Sequence, residues 1–191
     1  MAGQYISTQT TKTFSYLYSG ARRELEAAEQ TVQGQFYRVM NCLILQAFTV
    51  EAYLNHLVEG PEEHGMELVF KKTRPNVWEK YAAIANALQI KPIKLVEAYP
   101  HVAAILEFRN NLAHGRTESI SINKIIDAHE APLKAPDDQF PNWMNFCGIE
   151  NARMGLSNVR ELIERLHEKA GLGKYPLNSL GGGMSSFKLK P

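Results

Sequence analysis

Apolar side chains recur along most of this chain at steps of three and four, the spacing that places them on one side of an α-helix. Phe14, Leu17, Tyr18, Ala21, Leu25 and Ala28 predict a helix over 14–30. Gly34 marks a turn, and the longest apolar segment follows from Gln35 to Val58, closed by Gly60-Pro61. A short helix is expected within 62–72. Asn76, an N-capping residue type, opens a helix over 77–88 with Trp78, Tyr81, Ala82, Ala85 and Leu88 along one side. Lys91-Pro92 interrupts, and one further turn is expected over 93–98. Pro100, well suited to a first helical turn, begins a helix that runs to His114 before Gly115. A last amphipathic helix spans 149–170 and stops at Gly171.

Between these helices lies one long connection, 116–141, with Pro132, Pro136 and Pro141; a loop of this length in a compact domain is often functional or mobile. It carries a short polar–apolar alternation, Thr117 to Ile122. Trp143, Met144 and Phe146 follow as a cap on the core or part of a dimer contact. The polar, threonine-rich residues 1–13 are expected to be flexible. The Gly/Ser-rich tail 176–191, with its Gly181-Gly182-Gly183 run, is expected to be disordered. The fold expected is an all-α bundle of four to five main helices, one domain over 14–175, without internal repeats.

With 191 residues, 45% of them hydrophobic and 21% charged, the chain suits a single domain with a sizeable core. Lysine and arginine (21) nearly cancel aspartate and glutamate (20), so any nucleic-acid contact needs a local basic patch. Cys42 and Cys147 have no metal-ligand spacing and make no disulfide framework, which fits a reducing cytoplasm. No signal peptide and no run of roughly 20 apolar residues is seen, so no membrane partner is expected. His64, His101, His129 and His167 lie far apart and are read as surface histidines. No phosphate-cradling glycine loop or nucleophile elbow occurs. The basic clusters Arg22-Arg23, Lys71-Lys72-Arg74 and Lys188-Lys190 are read as solvated surface. Tyr16, Tyr18, Tyr37 and Tyr53 are read as core or interface anchors rather than base-stacking platforms.

The chemistry concentrates at Glu107-Phe108-Arg109-Asn110-Asn111-Leu112-Ala113-His114-Gly115. Taking about 100° per residue from Val102, the side chains of Ile105, Leu106, Arg109, Leu112 and Ala113 fall within about 80°. Arg109 therefore sits near the middle of an apolar stripe, where a charge is costly without a partner. His114 lies at the edge, about 120° away and about 7.5 Å further along the axis. On the earlier long helix, Ile44, Ala47, Phe48, Glu51 and Asn55 share a stripe, with Glu51 and Asn55 close to its centre. Glu51 is the natural partner for Arg109, and the two helices are expected to pack antiparallel, with Glu51 or Asn55 contacting Arg109 or His114. Such a pair, by itself, reads most simply as a structural bridge.

Arg109 and His114, four residues between them and with polar Asn110 directly after the arginine, resemble the R-x4-6-H signature of the HEPN superfamily (higher eukaryotes and prokaryotes nucleotide-binding). Ala47 to Asn55 looks like that family's preceding helix, with Glu51 and Asn55 as supporting residues. The resemblance implies a homodimeric, cytoplasmic endoribonuclease that needs no metal or other cofactor. His114 would act as general base or acid, Arg109 would stabilise the phosphorane-like charge, and Asn110 would orient one of them or a phosphate oxygen. The products implied are a 2′,3′-cyclic phosphate and a 5′-hydroxyl. RNA would be the substrate, and the setting a toxin–antitoxin or antiphage system with an antitoxin or regulatory protein as a further partner. Some family toxins carry a tyrosine two residues after the histidine; here Arg116 stands there, a candidate RNA-phosphate contact or a solvated loop arginine. The alternatives are an RNA- or nucleotide-binding module that does not cut, and a scaffolding bundle in which Arg109 and Glu51 form an internal ion pair.

Overall fold

The computed structural model describes residues 3–115, 117, 119 and 140–189. The chain is mostly helical, and among the described residues five helices of eleven residues or more build it: α1 (Thr13–Gln30), α2 (Gln35–Glu59), α4 (Val77–Ala87), α6 (Pro100–Ala113) and α8 (Ile149–Lys169). Short α3 (Pro61–His64), α5 (Leu95–Ala98) and α7 (Asn142–Phe146) lie between them. Of the expected helix over 62–72, only the first turn, α3, forms. Beyond it Gly65 takes a left-handed conformation, and the His64 ring ties the Leu57 carbonyl (2.7 Å) to the Met66 N–H (3.1 Å). The long connection lies almost wholly outside the described residues.

Sequence patterning accounts for the helices. Gly34, at φ 72°, turns α1 into α2. Asn76 accepts a hydrogen bond from the Glu79 N–H while the Glu79 carboxylate accepts from the Asn76 N–H, a reciprocal cap on α4. On α8 the fully buried Ala152, Val159, Leu162 and Ile163 define the inward face.

α2 is the central element. It packs against α1, α4, α6 and α8, so nearly its whole circumference is covered: Val39, Cys42, Leu43, Ala47, Val50, Tyr53, Leu54 and Leu57 are all buried. Each buried valine or leucine among them contributes roughly 1.5–3 kcal/mol on leaving water. Enclosure on several sides alters the stripe read from the sequence. Phe48 is 41% exposed and Glu51 and Asn55 are half-buried at the margin, not at the centre.

Between α2 and α6, Gln46 and Ile105 both stand beside Gly155, and Glu51 meets Arg109. Gly155 on α8 makes the close approach possible. A Cβ there would stand 2.0 Å from Gln46 Oε1 and 2.6 Å from Ile105 Cδ1.

The two ends depart from their expected disorder. β1 (Gly3–Thr11) pairs antiparallel with β2 (Gly181–Leu189), Gly3 opposite Leu189 and Thr11 opposite Gly181, in a two-stranded ribbon. Gly181, at φ 121°, lets the Thr10 carbonyl approach to where a Cβ would sit, and the Lys12 N–H donates to the Leu180 carbonyl at 3.0 Å. The ribbon thereby fixes the entrance to α1. Among the described residues no helix is long and apolar enough to cross a membrane.

Candidate functional site

α6 carries Arg109 inward on a face whose neighbours Val102, Ile105 and Leu106 are fully buried. Its guanidinium ends at the α2 margin, where Nη2 donates to Glu51 Oε2 at 2.5 Å. The pair is only partly withdrawn from water, with 21% of the arginine and 36% of the glutamate side chain exposed. The Arg109 Cζ also stands 5.6 Å from the centroid of the Phe48 ring, a cation–π contact that explains why an aromatic side chain remains exposed there. Arg109 thus has the partner that a charge in an apolar stripe demands and, in Phe48, a platform that the helical spacing does not announce. The Arg109 Nε–H is buried and has no hydrogen-bond partner among the described residues. A purely structural bridge normally satisfies such a group.

His114 is the C-cap of α6. Its backbone N–H still reaches the Asn110 carbonyl at 3.0 Å, but the residue has left helical geometry and its side chain is exposed. Gly115 follows closely, with a Cβ position 3.2 Å from the Leu112 carbonyl oxygen, so a larger residue would press on the last turn. Asn110, half-buried, lies between the two along α6. The site thus has a fixed cation at its base and an accessible imidazole at its rim, about 7.5 Å further along the helix axis. Glu51 is joined to Arg109 as expected. Asn55 is not: its Oδ1 accepts from Lys80 Nζ at 2.6 Å, which turns it toward α4. Arg116 and His129 lie outside the described residues.

The other sequence candidates resolve into packing groups. His167 is buried, not a surface residue, and its Nδ1 lies 3.1 Å from the Tyr53 hydroxyl. His101 is half-buried, its Nε2 2.9 Å from the Asn151 carbonyl, and His64 is held as described above. Trp143 and Phe146 cap the core, Phe146 against Phe108 at 5.5 Å and Trp143 against Phe36 at 6.3 Å. Burial pushes the Cys42 thiol up to about 12 and the Cys147 thiol up to about 11, so neither is a thiolate nucleophile near neutral pH. Among the described residues no three His, Cys, Asp or Glu side chains are placed to hold a metal ion.

One polar group is not singled out by the sequence pattern. His56 on α2 faces a cavity at the foot of the ribbon together with Lys12 and Asn55. The only sequence signal for it was its position one residue after Asn55. Compared with protein-family models, curated proteins and solved structures, the chain matches none of them.

Proposed function

We propose that the chain is a metal-independent endoribonuclease acting through Arg109 and His114 as a homodimer. The observation that carries this reading is the contrast within one helix end. Arg109 is oriented by Glu51 and Phe48 with its Nε–H unpaired among the described residues, while His114 is exposed at the rim. An arginine fork suits the equatorial oxygens of a phosphate, and an accessible imidazole transfers protons near neutral pH.

In this reaction an imidazole removes the proton of the ribose 2′-hydroxyl. The 2′-oxygen attacks phosphorus, the bond to the 5′-oxygen breaks, and that oxygen takes up a proton. The ends formed are a 2′,3′-cyclic phosphate and a 5′-hydroxyl. Arg109 offsets the charge that develops on the phosphorane oxygens. A second copy supplies the second imidazole, so that one acts as base and the other as acid. Asn110, beside the arginine, orients the phosphate or the imidazole.

A scaffolding role has its own support, since the Arg109–Glu51 pair over Phe48 also joins α6 to α2. The two readings separate on incubation of total RNA and tRNA with the purified protein in EDTA, followed by mapping of the new ends. Cyclic-phosphate termini are expected; RNA left intact across these pools favours the scaffold.

A further inference from the structure

Away from Arg109, where α1 begins and β1 ends, a cavity of about 290 Å³ opens between the ribbon and α2. Its lining concentrates hydrogen-bond donors. Lys12 enters from the junction of β1 and α1, and no salt bridge engages it among the described residues. Asn55 lines the cavity with its amide orientation set by Lys80: an ammonium only donates, so Oδ1 faces Lys80 and the Nδ2 hydrogens are left for the cavity. His56, half-buried, is packed against the Phe14 ring at 5.1 Å, and its ring nitrogens have no protein partner among the described residues. Burial, foremost, holds this imidazole below its ordinary value; Glu63 opposes the shift and Lys12 adds to it. At neutral pH His56 is thus an uncharged hydrogen-bonding group beside a lysine. The Thr13 and Phe14 N–H groups at the start of α1, which have no acceptor among the described residues, add to the donor set.

Glu59, at the exposed lip, is the one carboxylate in the lining among the described residues. The volume exceeds that of a bare phosphate and leaves room for a small organic substituent.

We propose that this cavity binds a phosphate-class oxyanion, free or carried on a small monoester, through Lys12, His56 and Asn55. The phosphate oxygens accept from the lysine ammonium, the imidazole N–H and the asparagine amide, and the Phe14 ring forms an apolar wall. The site is separate from the Arg109–His114 helix end and does not depend on the activity proposed for it.

The test is calorimetric titration of the full chain with inorganic phosphate and with glycerol 3-phosphate at constant ionic strength, alongside NMR of the His56 ring. Saturable binding that moves the His56 resonances is expected, with Lys12→Met and His56→Gln each weakening it about tenfold or more, as loss of one charge-assisted or directed hydrogen bond implies. Glu59→Gln is expected to tighten it, by removing a like charge from the lip, and Arg109→Lys to leave it unchanged. Far-UV circular dichroism checks each variant for folding, and the conservative His56→Asn serves if His56→Gln is unfolded. Binding of either compound supports the proposal, and binding of the ester alone assigns a role to the organic substituent. Absence of saturable binding by both compounds overturns it. So does binding that survives both Lys12→Met and His56→Gln, or that is lost only in Arg109→Lys, which would place the anion at the other helix end.

Discussion

Glu51→Gln isolates the device that holds Arg109. The substitution keeps shape and removes charge, leaving a partly buried guanidinium with only the Phe48 ring beneath it. Fully exposed ion pairs contribute roughly 0.2–1 kcal/mol, and removing one partner of a fully buried pair costs roughly 3–5 kcal/mol. With 21% and 36% of the two side chains exposed, this pair lies between those limits, so a loss of about 1–2 kcal/mol is expected. For a chain of this size that lowers Tm by roughly 2–8 °C. Arg109→Met removes the other partner but retains much of the apolar stem. If the contact is real, the double variant is less destabilised than the sum of the singles, by about 1 kcal/mol. Urea unfolding followed by far-UV circular dichroism gives all four corners of the cycle. Additive losses, or a Glu51→Gln variant as stable as the parent, would refute the claim that Glu51 fixes the guanidinium.

Three further outcomes follow from the packing. Gly155→Ala should lower stability by about 1–2 kcal/mol in urea unfolding, because the overpacking against Gln46 and Ile105 exceeds the gain of about 1 kcal/mol in helix propensity; a raised midpoint would contradict the close approach. His56 and His167 are both held below the ordinary histidine value, chiefly by burial, so the unfolded chain binds more protons than the folded one as pH falls below about 6.5. Stability should be full above neutrality and decline toward pH 5, and His167→Gln, which can still bond Tyr53, should flatten that slope in a Tm–pH series. With Cys42 and Cys147 thiols raised to about 12 and 11, iodoacetamide at pH 7.5 should label the chain only after denaturation, as read by mass spectrometry.

The helices were legible because burial writes itself into spacing: one side of α1, α6 and α8 faces the core, and apolar residues mark it every three or four positions. α2 was legible as a helix but not in its facing. Four neighbours cover it, so a single stripe averages over several contact directions, and Glu51 was placed at a centre when it belongs at an edge. The ribbon left no such trace. Residues 5–11 and 181–187 are exposed on both faces, so no alternation distinguishes β1 and β2 from solvated ends. Within the site, the Arg109–Glu51 pair could be read because a charge in an apolar stripe demands a partner. Phe48 as its platform and the turning of Asn55 to Lys80 could not, since both depend on how α2, α4 and α6 cross. His167 looked like surface because its partner, Tyr53, is 114 positions away.

The most direct test of the proposed chemistry is a single-turnover cleavage rate on one mapped RNA in EDTA, compared among the parent chain, His114→Ala and Arg109→Lys, each checked for folding. Loss of the proton-transfer group should slow the reaction by about 10²–10⁴-fold, and loss of the arginine fork by about 10²–10³-fold, with 2′,3′-cyclic phosphate ends in the parent. Cleavage that continues at the parent rate in His114→Ala would contradict the assignment of this helix end as the reacting site.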